Sequence, residues 1–381
     1  MHVALSGVHS PCCHVIYYKE KGSWEDQNWG KFDPDLGILS EHHKQAREQM
    51  RRGERVSLCE VCYRREDLGN TSPRLDNLAA SENSDVDYDS EPTHIKTMDI
   101  KFNNTCNLGC RMCDPHSSSY LNKDLSFIPR QDRINQEPTF DQFDDADKKL
   151  AMSKMYIAKG LSEFKTTGGE PFLQKQFIEL VDWCLTNGYN KDLKMRLTTN
   201  LLMLNEKLMK KLIQFKHLYI TVSCDGTGSV YEYIRYPAKW ENFQRAFDVL
   251  QKYNQTNVSM DMSSILQIYN LFDLENIFKF TQDRIRLGVD WDLNPDGSEL
   301  SVKLLPKNIL QFAYDSQPLF FKENKLVGRY LLDVIENNNS DEQKLREFCR
   351  KTIILDKHRK QDYRQSLHAS IVELINTTNG E

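Results

Sequence analysis

Three cysteines stand within eight residues in the stretch NNTCNLGCRMCDPHSSS, Asn103 to Ser119: Cys106, Cys110 and Cys113. Three thiols are one short of a closed four-thiolate site and one too many for a disulfide. A cubane iron–sulfur cluster takes thiolates as its usual ligands. Three of them leave one iron with an open position, and an open metal position is where a substrate or cofactor binds. The CxxxCxxC spacing suits one loop wrapped around one cluster, and Gly109 lets the backbone pass close to it.

The other cysteines are also unevenly placed. Of ten in the 381-residue chain, Cys12 and Cys13 are adjacent and Cys59 and Cys62 form a CxxC, whereas Cys184, Cys224 and Cys349 stand alone. No run approaches the ~18 apolar residues of a membrane helix. The start, MHVALSGVHSPCC, lacks the charged residues and long apolar stretch of a secretory signal, so a cytoplasmic location and no membrane partner are expected. In that reducing compartment clustered cysteines point to metal or redox chemistry rather than stapling. Cys184, on an apolar helix face, and Cys224, inside a strand, read as small core hydrophobes. A formal net charge of -5 says little about a polyanionic partner. The basic run from Lys44 to Arg55 reads as a solvated helix face, and no basic stripe suggests nucleic acid.

These residues need elements to position them. Residues 1–92 form a cysteine-rich region with one helix, Ser40 to Arg52, and an acidic linker, AASENSDVDYDSEPT, from Ala79 to Thr93. Residues 93–295 alternate strand and helix patterns. IKTMDIKFNN, LSEFKTTGGEP, LKMRLTTN, HLYITVSCDG and VSMDMSSILQ read as strands. FLQKQFIELVDWCLTNG places Phe177, Leu180, Val181, Cys184 and Leu185 on one helical face. Residues 296–381 read as a mostly helical extension. Repeated βα units predict an α/β fold with a parallel sheet whose functional residues sit at the C-terminal ends of the strands.

Those strand ends carry further candidates. In TTGGEP, Gly168 and Gly169 remove side chains so that a ligand can approach the backbone, and Pro171 suits a first helical turn. Glu170 has the charge to pair with an ammonium group. Asn200 ends the third expected strand, and Ser223 and Asp225 end the fourth. Arg235, in YIRYP, is placed to meet a carboxylate or to sit on the surface.

CxxxCxxC directly after the first strand of a βα array resembles the radical SAM superfamily, and TTGGEP resembles that family's GGE motif. The resemblance implies a partial (β/α) barrel. It implies a [4Fe–4S] cluster on Cys106, Cys110 and Cys113, with S-adenosylmethionine (SAM) chelating the open iron. It places Met112, where the family usually has an aromatic residue, near the adenine. Gly168, Gly169 and Glu170 would hold the methionine amino group, and Asn200, Ser223 and Asp225 the ribose and carboxylate. ERVSLCEVCYRREDLGNTSPR resembles the auxiliary-cluster region of the twitch subgroup, implying a second iron–sulfur cluster on Cys59, Cys62 and Cys13 or Cys12; a zinc knuckle is the alternative there. A flavodoxin or ferredoxin would supply electrons. The expected substrate is a peptide or protein side chain or a small molecule. A nucleotide, RNA or sugar substrate is one rival, and a zinc-binding interaction protein is the other.

Overall fold

From Ile95 onward, β-branched and apolar residues at every second position alternate with amphipathic helical stretches, and the alternation builds one sheet. The computed structural model describes residues 2–3, 9–10, 41–67, 69, 71–82, 95–115, 117–132, 145–291, 299–338 and 340–379. Its strands are β1 (His2–Val3), β2 (His9–Ser10), β3 (Thr97–Ile100), β4 (Glu163–Thr166), β5 (Lys194–Thr199), β6 (His217–Ser223), β7 (Val258–Ile265) and β8 (Arg286–Asp290). They lie in the order β2-β1-β3-β4-β5-β6-β7-β8. The six strands β3 to β8 are parallel, as the repeated βα units predict. β1 joins β3 in parallel and β2 pairs with β1 antiparallel. Strands β3 to β7 fall in the five segments read from sequence. β8 is an addition: RLGVD has charged ends and a central glycine, which suits a sheet edge but hides the strand pattern. Residues 79–82 of the expected acidic linker instead end helix Pro73–Glu82, and Cys12, Cys13 and linker residues 83–93 lie outside the described residues.

Alternation along each strand gives the sheet two chemically distinct faces. Ile100, Phe164, Leu197, Ile220 and Val222 are fully buried and join one apolar cluster with Phe177, Leu180, Val181 and Cys184 of helix Lys175–Thr186. On the other face Asp99, Lys165, Arg196 and Tyr219 stand in register across four strands. Lys165 pairs with Asp99 at 3.1 Å, and the Arg196 guanidinium lies 4.5 Å from the centre of the Tyr219 ring. No helix among the described residues is long and apolar enough to cross a membrane.

The C-terminal helices do more than follow the barrel. Leu310, Phe320, Leu331, Phe348 and Ile375 form a second apolar cluster with Ile268 and Leu271, which follow β7. Helix Glu342–Arg359 also reaches the cysteine loop. The Arg111 side chain is fully buried and pairs with Asp356. Its Nε donates to the Tyr233 carbonyl at 2.9 Å, and its guanidinium stacks 3.6 Å from the Tyr233 ring centre. Asp356 accepts from the Tyr233 hydroxyl at 2.9 Å and the Tyr363 amide at 2.7 Å. A buried guanidinium cannot shed its charge, so deleting its counter-ion is costly. Asp356→Ala is expected to lower unfolding free energy by about 3–5 kcal/mol, measured by denaturant titration, while Arg111→Met/Asp356→Leu should lose much less. Equal losses in the two would contradict this pair's role.

Candidate metal centre and cofactor cradle

Among its described residues the loop from Asn103 to Ser119 contains no regular strand or helix until its last residue, so side chains and neighbours give it shape. The Ser119 amide donates to the Asn104 carbonyl at 2.7 Å, and Asn104 Nδ2 to the Pro115 carbonyl at 2.8 Å, which closes the loop at its neck. Asn103 Oδ1 accepts from the Thr105 amide at 2.9 Å, and Asp114 Oδ1 from the Ser117 amide at 2.7 Å. These Asx turns stabilise the bends on either side of the cysteines. Cys110 is buried, and Cys106 and Cys113 are half-buried. The Cys110 and Cys113 thiols hydrogen-bond to each other, which lowers the pKa of Cys110 and raises that of Cys113. Burial pushes the Cys106 thiol up to about 11.

The turn after β4 packs directly under this loop. Gly168 and Gly169 hold φ of 78° and 61°, the left-handed region where side chains are strained. A Cβ on Gly169 would lie 2.4 Å from the Thr105 carbonyl oxygen, so the cysteine loop leaves no room for one. The Gly169 amide donates to the Ser117 carbonyl at 3.0 Å and the Glu170 amide to the Thr105 carbonyl at 2.8 Å. Gly169 thus serves the close approach of two backbones, whereas a Cβ on Gly168 would press on the Lys101 side chain.

The structure gives the Glu170 carboxylate three protein donors: the amides of Phe172 at 3.3 Å and Asn200 at 2.8 Å, and the Thr199 hydroxyl at 2.7 Å. It is fully buried. Burial pushes its pKa up to about 7 even though those donors pull the other way. Asn200, held through its amide, turns its Nδ2 to Asn107 Oδ1 at 2.8 Å and to Cys106 Sγ at 3.8 Å. Glu170 therefore places Asn200 against the loop. Ser223 is half-buried at the end of β6, in register with Ser263. Asp225 is fully buried and committed within the protein, accepting from the Ile265 amide at 2.7 Å and pairing with Arg235 at 2.6 Å. Met112 is half-buried and touches both apolar clusters. Thus the loop, Gly168–Glu170 and Asn200 come together, and Asp225 reaches the loop only through Arg235.

Sequence reasoning missed the groups that back the loop. Asn107 meets Asn200, Arg111 meets Asp356, and Arg359 pairs with Asp124 at 2.6 Å, its guanidinium beside Gly109. These partners lie up to 245 residues apart, so no local pattern announces them.

The residues present fit a cubane. Three thiols share one loop, and glycine at 109 and 169 keeps its backbone free of side chains where neighbours press close. The guanidinium groups of Arg235 and Arg359 act on the Cys110 thiol, supplying the positive charge that gathered thiolates require. Among the described residues no three His, Cys, Asp or Glu side chains converge as ligands of a single ion. Thiolates on a cubane each take a different iron.

The N-terminal CxxC sits on its own small scaffold. Cys59 ends a short 3-10 turn and Cys62 is buried in helix Glu60–Asp67. The guanidinium groups of Arg55 and Arg74 each lie 5.0 Å from the centre of the Tyr63 ring. Glu66 takes Arg74 and the Ser72 hydroxyl, and Gly69 turns the chain at φ of 77°. Burial raises the Cys59 thiol to about 11, with Cys62 adding to the rise. Arg65 pairs with Asp290 at 2.9 Å, which fixes this scaffold beside the end of β8.

Because Glu170 is an acid whose folded pKa lies above its unfolded value, the folded state binds more protons between the two. Its contribution to stability is full below pH ~4.5 and is lost as pH rises towards 7, by about 3 kcal/mol in all. Glu170→Gln is expected to flatten that part of the stability–pH curve, followed by urea unfolding. An unchanged slope would contradict the burial argument.

Residues 100–281 match the family model described as the radical SAM superfamily. An uncharacterised protein of Methanocaldococcus jannaschii is 28% identical over 133 residues, covering 35% of this chain and 39% of that protein. A GTP 3',8-cyclase of Staphylococcus epidermidis is 30% identical over 133 residues, covering 35% and 34%. The chain therefore spans well under half the length of these curated relatives. Among solved structures, SuiB of Streptococcus suis bound to S-adenosylmethionine has a TM-score of 0.41 at 12% identity, covering 61% of this chain and 49% of that one. The structure of native anSMEcpe with bound AdoMet has a TM-score of 0.43 at 18% identity, covering 60% of each chain. The family match begins at the last residue of β3, just before the cysteine loop, and it takes in Gly168–Glu170, Asn200, Ser223 and Asp225. Residues 100–281 of this chain are thus similar to the radical SAM superfamily.

Proposed function

We propose that this protein is a radical SAM enzyme in which Cys106, Cys110 and Cys113 hold a [4Fe–4S] cluster and SAM binds its open iron. The observation that carries the reading is the three-thiol loop at the end of β3, packed on the glycine turn at the end of β4. When bound, the cluster and SAM supply reductive cleavage to methionine and a 5′-deoxyadenosyl radical, which abstracts hydrogen from the substrate. The chain's own part is to bind, orient and exclude water. Gly168 and Gly169 let the methionine end approach the backbone, and Asn200 and Ser223 offer hydrogen bonds to the ribose and carboxylate. Glu170 and Asp225 act from behind them, the first by fixing Asn200 and the second by fixing Arg235. Met112 is the apolar neighbour of the adenine.

We extend the reading to the twitch subgroup. Cys59 and Cys62, with Cys13 or Cys12, would carry a second iron–sulfur cluster, and the Tyr63–Arg74–Glu66 scaffold would hold its ligands beside β8. A flavodoxin or ferredoxin is the electron donor. A peptide or protein side chain is the leading substrate class. The polar face carrying Lys165, Arg196 and Tyr219 supports a hydrogen-bonding substrate over an apolar one. The name GTP 3',8-cyclase on a relative 30% identical over 133 residues favours a nucleotide as the second reading.

Anaerobic reconstitution followed by a SAM-cleavage assay tests the proposal. Cys106→Ala, Cys110→Ala and Cys113→Ala should each abolish 5′-deoxyadenosine formation; an ordinary yield from any of them would sink the three-thiol assignment. Cys59→Ala should keep SAM binding but lower iron content, and unchanged iron would remove the second cluster.

A further inference from the structure

Arg235 reaches a cysteine sulfur of the loop from a neighbouring element. Arg235 follows helix Gly228–Ile234 and its side chain is only 7% exposed. Its Nη2 lies 2.6 Å from Oδ2 of Asp225, which is fully buried, and its Nη1 lies 3.9 Å from Cys110 Sγ. The backbone enforces this meeting. The Gly109 amide donates to the Tyr236 carbonyl at 2.7 Å, and the Arg111 amide to the Ile234 carbonyl at 2.9 Å. The residues flanking Cys110 are thus clipped to the residues flanking Arg235, so the two side chains are paired by register. Asp225 is anchored in turn by the Ile265 amide at 2.7 Å, at the end of β7. The result is a continuous line from sheet to sulfur.

We propose that Arg235, held in place by Asp225, is a positioning residue that raises the reduction potential of the cluster on Cys106, Cys110 and Cys113. The inference rests on the cluster reading above. Reduction adds one electron, from a flavodoxin, a ferredoxin or a chemical one-electron reductant, to the oxidised cubane; no bond breaks and no proton moves. The product carries one more negative charge on the cluster and its thiolates. A guanidinium directed at a ligand sulfur from within hydrogen-bond range stabilises that added charge, and more strongly in a site shielded from water. Arginine keeps its proton throughout, so the effect is a fixed charge. The Asp225 carboxylate moderates the cation while aiming it.

The test is a redox titration of the reconstituted full-length protein with SAM absent, followed by electron paramagnetic resonance on the signal that Cys110→Ala loses. Arg235→Gln/Asp225→Asn removes both members of the buried pair and leaves no orphaned charge. It should shift the reduction equilibrium about tenfold towards the oxidised cluster, equivalent to about 59 mV for a one-electron couple. Asp225→Asn alone frees the cation from its counter-ion and should shift the equilibrium the opposite way. Arg235→Lys should fall between the wild type and the double variant. If the double variant and Asp225→Asn both stay within about twofold of the wild type, with iron content and circular dichroism preserved, the pair is merely structural and the proposal is overturned. If the double variant holds no cluster, the shift in Asp225→Asn alone decides. Wild-type protein that assembles no cubane would instead overturn the cluster reading, and this inference with it.

Discussion

A loop with no regular secondary structure must hold three sulfurs in fixed relation, and it does so only because other parts of the chain press on it from three directions. The turn Gly168–Glu170 supports it through two backbone hydrogen bonds, in a space where a Cβ at residue 169 would strike the Thr105 carbonyl. The segment Ile234–Tyr236 clips the residues on either side of Cys110. Helix Glu342–Arg359 closes the far side through Asp356 and Arg359. Each contact spends a backbone amide or a buried charge, groups whose burial without a partner is costly. The loop's shape is therefore coupled to the fold of the barrel and of the C-terminal helices together.

The same contacts distribute positive charge behind the cysteines. Arg111, Arg235 and Arg359 are each buried and each matched to a carboxylate, Asp356, Asp225 and Asp124 respectively. Replacing such pairs by apolar residues is often neutral for stability, so burial alone gives no reason to keep them. Their concentration around one loop is better explained by what the loop must hold. Arg235 directs a charged donor at Cys110 Sγ, whereas the donor that Asn200 directs at Cys106 Sγ is neutral, which separates an electrostatic role from a purely mechanical one.

Much of the site was legible in sequence because its chemistry is local. CxxxCxxC lies within one loop, TTGGEP within one turn, and the strands before them alternate in period two. The face Phe177, Leu180, Val181, Cys184 and Leu185 was readable for the same reason; the first four side chains are buried and Leu185 is half-buried. What escaped depends on distant residues. Arg111 sits beside Cys110 in the chain, but its counter-ion is 245 residues away. Glu170 and Asp225 have the charge to bind a cofactor directly. Their carboxylates instead face Thr199, Asn200, Arg235 and Ile265, partners supplied by strand register rather than by motif. Cys349, which stands alone in the sequence, is fully buried because helix Glu342–Arg359 turns one apolar stripe to the second cluster.

The central claim is that three thiolates share one cubane and leave a single iron open. Protein carrying Cys59→Ala and Cys62→Ala, reconstituted with iron-57, isolates that site for Mössbauer spectroscopy before and after SAM is added. The account predicts a four-iron spectrum in which one iron of the four alone changes its isomer shift when SAM binds. A spectrum untouched by SAM, or iron held only as mononuclear ions, would contradict it.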